Sequence, residues 1–268
     1  MILIADGGST KADWVALDMK GRELFRTRSK GLNPAILEAS QLKSRLENNF
    51  ELTKNANAVK EVYFYGAGCG TPEPSQKLKK VLQDIFPNAK VNVAEDMLAA
   101  VYAASGGKGA IVCILGTGSN SCYFYGKEMH QSVPSLGFIL MDEASGNYFG
   151  KKLIIDYYYK RMPEAIAKDF ESQYDLSADT IKKHLYQMDA PNAYLGQFAE
   201  FMFKYTDEPY MHQLIREGFE EFFEKRVNPY GKKEVPVYFI GSIAYFFRPI
   251  LEEVAQTYGY QIADVIRR

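Results

Sequence analysis

Two short runs hold residues whose types and spacing could do chemistry. Asp6-Gly7-Gly8-Ser9-Thr10-Lys11 stands between the apolar residues 2–5 and 14–17. Leu115-Gly116-Thr117-Gly118-Ser119-Asn120 stands between residues 110–114 and 121–125, about a hundred positions later. Each reads as strand, tight turn, strand, with a tip rich in backbone N–H groups and hydroxyls. Glycines let the main chain come close to an anion, and successive N–H groups form a nest for phosphate oxygens. Asp6 would face that same anion from the strand end. A carboxylate beside phosphates makes sense when a cation, most simply Mg²⁺, lies between them. A plain surface hairpin accounts equally well for either run alone.

Three further places carry candidate groups. Asp96 closes an apolar strand and precedes a helix, where it could accept a proton from a hydroxyl attacking phosphorus, or simply cap the helix. Asp142 and Glu143 are paired carboxylates ahead of another helix. They could contact sugar hydroxyls or order water on Mg²⁺, or they could offset the helix dipole, worth roughly 0.3–1 kcal/mol. Gly241-Ser242 follows a strand and opens a helix, the geometry of an adenosine shelf or of an ordinary cap. There is no Gly-x4-Gly-Lys-Ser/Thr phosphate loop, so two facing hairpins would have to clamp the nucleotide.

The elements that must position these groups follow from pattern. Three strands meander over the first thirty or so residues. A helix over 37–52, a strand at 62–65, a helix over 74–85, a strand at 91–94 and a helix over 97–104 follow. The count then restarts with strands at 110–115 and 121–125 and a weak third at 127–133. Residues 145–227 read as helical, with Phe149, Phe198, Phe201, Phe219 and Phe222 as core rather than a ligand cage. A strand at 235–240, a long helix from Gly241 to about Tyr258 and an edge strand at 262–266 end the chain. A hundred-residue repeat implies a duplicated α/β domain with mixed sheets flanked by helices, and a crossover near Ser105-Gly106-Gly107 as its boundary.

The composition excludes several classes. The chain has 268 residues, 47% hydrophobic and 24% charged, with a net charge of −1. So neutral a balance argues against a nucleic-acid partner. No apolar run approaches the roughly 20 residues that span a bilayer, and no basic segment precedes the first apolar run. Cys69, Cys113 and Cys122 form no Cys-x-x-Cys pair and read as buried thiols of a reducing cytoplasm. His130, His184 and His212 show no metal-ligand spacing.

Taken in order, Asp6 through Trp14, Gly31-Leu32-Asn33-Pro34, Ala94-Glu95-Asp96, Leu115 through Ser121, Gly137 through Ser145 and Phe239-Ile240-Gly241-Ser242 resemble the motifs of N-acetylglucosamine kinases, within the wider BadF/BadG-type ATPase family of the actin-like sugar-kinase fold. The resemblance spans essentially the whole chain. It implies two actin-like (ribonuclease H-like) domains with five-stranded sheets and a nucleotide cleft between them. The first would cover 1–105, with 258–268 as candidates to complete it. The second would cover 106–257, with a helical insertion at about 145–227. The chain runs only two residues past Ile266, short of the closing helix such domains imply.

The same resemblance implies residue roles. Gly8, Ser9, Thr10 and Lys11 would hold phosphates of ATP, with Asp6 near Mg²⁺ through water. Gly116, Thr117 and Gly118 would hold the other side, and Gly241 and Ser242 the adenosine. Asn33, Ser119, Asn120 and Asp142, with Glu143 beside it, match the contacts to an amino sugar, and Asp96 matches the catalytic base. The implied reaction moves the γ-phosphoryl group of ATP to a sugar hydroxyl, most simply the 6-OH of N-acetylglucosamine. A homodimer is the implied assembly. Relatives with Gly-Asp-Glu-Gly-Ser differ from this chain's Met141-Asp142-Glu143-Ala144-Ser145. Two other classes share the fold. Dehydratase activators bridge an iron–sulfur cluster with cysteines of two subunits, a pairing these three cysteines do not suit. Non-catalytic sugar sensors usually carry a helix-turn-helix ahead of the first hairpin, which here starts at residue two.

Overall fold

The computed structural model describes residues 1–8, 11–188 and 190–267. The chain divides into two compact units, Met1–Ala99 and Ala100–Arg268.

The first unit opens on the meander β1 (Ile2–Gly7), β2 (Lys11–Leu17) and β3 (Glu23–Lys30). Helices α1 (Ala39–Glu47) and α2 (Phe50–Lys54) lead to β4 (Glu61–Gly66), α3 (Pro72–Ile85), β5 (Lys90–Ala94) and the start of α4 (Asp96–Ser105). The sheet order is β3-β2-β1-β4-β5, antiparallel through the meander and parallel across β1, β4 and β5. Strand alternation sends Leu3, Ala5, Ala12, Trp14, Val62 and Phe64 to one face, where they pack with Leu42 and Leu46 of α1 and Leu78, Val81 and Leu82 of α3. Each such buried side chain contributes about 1.5–3 kcal/mol. The opposite face carries Asp6, aligned in register with Asp13 on one side and Tyr65 on the other.

Two details depart from the expected pattern. The helix expected over 37–52 is broken at Asn48-Asn49. There Asn49 accepts from Leu52 N–H at 3.1 Å to cap α2, while its amide donates to Thr27 Oγ1 and Arg28 O, each at 3.0 Å. Helix α3 starts two residues early, on Pro72, because a first-turn proline lacks only an N–H that has no partner in any helix.

The second unit repeats the plan. β6 (Ala110–Leu115), β7 (Ser119–Phe124) and a two-residue β8 (Met129–His130) form its meander. Helices α5 (Gly146–Tyr158), α6 (Glu164–Gln173), α7 (Ala178–Tyr186), α8 (Pro191–Gln197) and α9 (Pro209–Phe222) follow. Then come β9 (Val237–Ile240), α10 (Ser242–Phe246), α11 (Arg248–Thr257) and β10 (Ile262–Ile266). The sheet order is β10-β9-β6-β7-β8. Counted within its unit, this is again third-second-first-fourth-fifth, so the two sheets are topological copies.

That symmetry corrects one expectation. Residues 258–268 do not complete the first domain: β10 pairs parallel with β9 and supplies the fifth strand of the second sheet. The crossover α10–α11 carries the chain back beside β9, and Val265 is buried in the second unit's core. The division of the chain also falls inside α4 rather than at Ser105-Gly106. The single helix expected from Gly241 to Tyr258 is two, interrupted at Phe247 ahead of Pro249, which cannot continue an α-helical ladder.

The helices between β8 and β9 close around buried Phe149, Phe170, Phe198, Phe219, Phe222 and Phe223. Gly150 makes the approach of α8 to α5 possible: a Cβ there would stand 1.8 Å from Leu195 O. No helix among the described residues is long and apolar enough to cross a membrane.

Candidate active site

In the first unit the hairpin tip is tied to the loops that follow β3 and β4. Gly8 N–H donates to Lys11 O at 2.8 Å, Leu32 N–H to Gly8 O at 3.2 Å and Ala67 N–H to Gly7 O at 2.8 Å. A Cβ at Gly7 would lie 2.1 Å from Phe64 Cζ, so the close approach of backbone to ring requires glycine. Ser9 and Thr10, expected at the phosphates, lie outside the described residues. Lys11 Nζ stands 3.7 Å from Asp13 Oδ2, and Asp13 also accepts from Arg28 Nε at 2.5 Å. Asp6 shares that face, next to Asp13 in the ladder.

The C-terminal ends of β1, β4 and β5 share one edge of this sheet, where parallel sheets commonly bind ligands. The loop after β4 turns through Gly68 at φ +78°, where a Cβ would sit 2.0 Å from Asn33 Oδ1. Asn33 Oδ1 accepts from Ala35 N–H at 2.9 Å. Its loop is held from two sides, by Lys77 Nζ on Pro34 O at 3.0 Å and Leu37 O at 3.1 Å, and by Arg45 Nη1 on Gly31 O at 2.6 Å. Asp96 is the first residue of α4, and Glu95, just before the helix, accepts from Leu98 N–H on its carbonyl.

Cys69, Glu95 and Asp96 feel one another. Burial first, then the charges of Asp96 and Glu95, push the Cys69 thiol up to about 12. Burial and then the Asp96 charge raise Glu95 above the usual carboxylate range. An acid whose folded value exceeds its unfolded one binds its proton more firmly in the native state. Stability is therefore lost as pH rises from the unfolded value through the folded one. Glu95→Gln removes that loss at its position. Its Tm is expected to match wild type below about pH 4 and exceed it near pH 7. Thermal melts at both pH values check this, and an equal difference at the two would contradict it.

In the second unit, the tip Gly116–Gly118 is seated on the N-terminus of α5. Gly146 N–H donates to Gly116 O at 2.8 Å and Asn147 N–H to Thr117 O at 3.0 Å, with the Asn147 side chain adding a bond to Thr117 O at 2.7 Å. The Gly116 and Thr117 carbonyls are thereby taken up by α5, and Gly118 O accepts from Gly116 N–H at 3.0 Å. A Cβ at Gly116 would meet nothing within 4 Å, so open space lies over that position.

Asp142 locks this arrangement. Its Oδ1 accepts from Ser119 N–H at 3.3 Å and its Oδ2 from Asn147 Nδ2 at 2.8 Å. Burial raises it above the ordinary aspartate range, against the lowering effect of these two bonds. A Cβ at Gly118 would come within 2.9 Å of Asp142 Oδ2, so hairpin and carboxylate fit only with glycine. Ser119 Oγ and Asn147 Oδ1 are buried with no hydrogen-bond partner among the described residues. Glu143 turns elsewhere, into an ion pair with buried Arg226 at 3.2 Å. Asn120 projects to the other face of β7 from Ser119, its Oδ1 accepting from Ser121 N–H at 2.9 Å.

Gly241 has φ +126°, and a Cβ there would stand 2.1 Å from Leu115 O and 3.1 Å from Gly116 N. The loop after β9 therefore abuts the start of the second hairpin. Ser242 is exposed beside it. The structure thus gathers Asn33, Gly68, Cys69, Glu95 and Asp96 in the first unit. In the second it gathers Gly116, Thr117, Gly118, Ser119, Asp142 and Gly241. The sequence pattern singles out neither Asn147 nor Arg226. An asparagine inside a helix carries no signal of its own, and Arg226 meets Glu143 across 83 positions of chain.

No family model and no curated protein matches the chain. Solved structures do. A Porphyromonas gingivalis protein named "putative N-acetylglucosamine kinase" shares 35% identity with a TM-score of 0.93, over 100% of this chain and 95% of that one. A Chromobacterium violaceum protein of the same name shares 16% identity at TM-score 0.78, over 98% and 93%. A ROK family glucokinase from Streptomyces griseus, solved with glucose and AMPPNP, shares 14% identity at TM-score 0.59, over 99% and 92%. The latter two share the fold, two mixed five-stranded sheets flanked by helices, and the first shares sequence along its whole length. The chain belongs to the N-acetylglucosamine kinase family, with the fold of actin-like sugar kinases.

Proposed function

We propose that the protein transfers the γ-phosphoryl group of ATP to N-acetylglucosamine or a related amino sugar, at the 6-hydroxyl. Membership of a sugar-kinase family supports the reaction class. The observation that carries the finer reading is the gathering of Asn33, the Gly66–Gly70 loop and Asp96 at one sheet edge. That edge holds polar groups suited to a sugar and an acid suited to its proton.

The residues present fit ATP and Mg²⁺. Thr117 and Gly118 lie in a tip whose Gly116 and Thr117 carbonyls are occupied by α5, with open space at Gly116. Asp6 offers a hard oxygen ligand at the first tip. When bound, ATP supplies the phosphoryl group and Mg²⁺ offsets its charge. In the first unit, the chain's own part is to orient the sugar through Asn33 and to remove the hydroxyl proton at the Asp96 carboxylate. The burial of Cys69, Cys113 and Cys122 speaks against a cluster shared between subunits and fits a reducing cytoplasm.

A coupled ADP-release assay over a panel of sugars tests this reading. Turnover is expected with an N-acetylated or free amino sugar and not without sugar, whereas sugar-independent ADP release would overturn it. Gly68→Ala places a methyl where Asn33 Oδ1 now lies. It is expected to raise the KM for the sugar by about tenfold or more while leaving that for ATP unchanged, as misplacement of a positioning group does. Steady-state kinetics with each substrate varied in turn checks the split.

A further inference from the structure

Arg226 is 2% exposed, and a guanidinium is held in a protein interior only when its donors are used. It comes from a π-helical turn, Phe223–Val227, that continues α9. Such turns recur at functional sites and re-aim one side chain. Four bonds from it go to one stretch of chain. Nε bonds Glu143 Oε2 at 3.2 Å, Nη1 bonds Val133 O at 3.0 Å and Pro134 O at 3.3 Å, and Nη2 bonds Met141 Sδ at 3.2 Å. One planar group thus ties the beginning of the segment 133–145 to its end. The Arg226 carbonyl is itself fixed, accepting from Ser121 Oγ at 3.0 Å, so the clamp is rooted in β7.

What this clamp restrains is unusual backbone. Asp142 has φ +73° and Ala144 φ +55°, a region that side-chain-bearing residues avoid at a cost of order 1–3 kcal/mol each. Glu143 lies between them and carries the ion pair. The segment also exposes Leu136, Ile139 and Leu140, so apolar burial does not hold its outer part. Besides Arg226, Lys151 Nζ reaches the Phe138 carbonyl, at 3.3 Å.

We propose that Arg226 is a positioning residue for the acceptor sugar: through Glu143 and the ends of the 133–145 segment it holds Asp142 in its left-handed conformation, against Ser119 and Asn147. This rests on the sugar-kinase reading for its kinetic consequence, but the restraint itself is physical and can be measured without turnover. Lysine keeps the charge and loses the fork that reaches four acceptors at once.

Three proteins, Arg226→Lys, Glu143→Gln and the apolar pair Arg226→Met with Glu143→Leu, are compared with wild type by amide exchange and by kinetics. The apolar pair is included because replacing both members of a buried ion pair commonly preserves stability. Exchange in the peptide spanning 133–145 is expected to accelerate in all three, with the Leu3–Leu17 hairpin unchanged. The KM for the sugar is expected to rise about ten- to a hundredfold, and the KM for ATP by less, since Asp142 also braces the Gly116–Gly118 tip. Wild-type exchange at 133–145 in the variants overturns the proposal, as does a loss of protection spread over the whole chain. Local exchange with an unchanged sugar KM overturns the link to the acceptor. If wild type turns over no sugar, the kinase reading fails by itself and exchange alone decides the role of Arg226.

Discussion

Asp96→Asn is expected to leave ATP binding intact and to lower sugar phosphorylation by about 10²–10⁴-fold, the usual loss when a general base is removed. The change is nearly isosteric and takes away only the charge and the proton affinity. Asp96 is the first helical residue of α4, so the competing reading is a carboxylate that merely complements the helix dipole. That role is worth roughly 0.3–1 kcal/mol of stability and would leave turnover alone. The neighbours sharpen the distinction. Cys69 is held protonated by burial and by the charges of Asp96 and Glu95, so it is ill-suited to replace Asp96 as base. ADP release at saturating sugar, with ATP titrated separately, separates the readings. A variant with near-full turnover excludes Asp96 as base.

Gly241→Ala is the second large effect. At φ +126° the added methyl is strained, and it would stand 2.1 Å from Leu115 O and 2.6 Å from Leu115 C, both backbone atoms. Flexible side-chain tips can yield to such a contact, whereas two paired strands cannot without moving. Overpacking commonly costs about 1–3 kcal/mol, and the unfavourable φ adds to it, so a total on the order of 3 kcal/mol is expected. For a chain of this size that lowers Tm by roughly 6–12 °C. Because Leu115 and Gly116 begin the second hairpin, the KM for ATP is expected to rise as well in the fraction that remains folded. Melting curves with and without ATP measure both. An unshifted Tm would mean that the loop after β9 does not press on the hairpin.

The groups proposed for catalysis were largely legible in the sequence because their signals are local. Glycines flanked by hydroxyls between apolar runs announce a tight turn, and Asp96 directly after an alternating strand announces a strand end. The duplication was legible too, since the same device recurs after about a hundred residues. What escaped depends on pairings that spacing does not encode. β10 reads as an edge strand of either sheet until its ladder with β9 is seen. Glu143 reads as a second sugar ligand because it stands beside Asp142 in the matched motif; its partner, Arg226, arrives from a π-helical turn 83 residues away. Asn147 reads as an ordinary helical residue, yet it joins Asp142 to the Thr117 carbonyl. The helix breaks at Asn49 and Pro249 were each marked by a residue type, and the periodicity of the flanking apolar positions concealed them.

The departure at Ala144 acquires a meaning in the fold. Its φ of +55° is one that glycine adopts freely, and this chain keeps it with alanine, fully buried. Something must hold that backbone, and the Arg226 clamp lies one residue away.

The most direct measurement is a ³¹P spectrum of the protein incubated with Mg²⁺, ATP and N-acetylglucosamine. The account predicts a sugar 6-phosphate signal growing in step with ADP, and its absence when Asp96→Asn replaces the wild-type protein over the same interval. ADP accompanied by inorganic phosphate, with no phosphate ester on any amino sugar supplied, would contradict it.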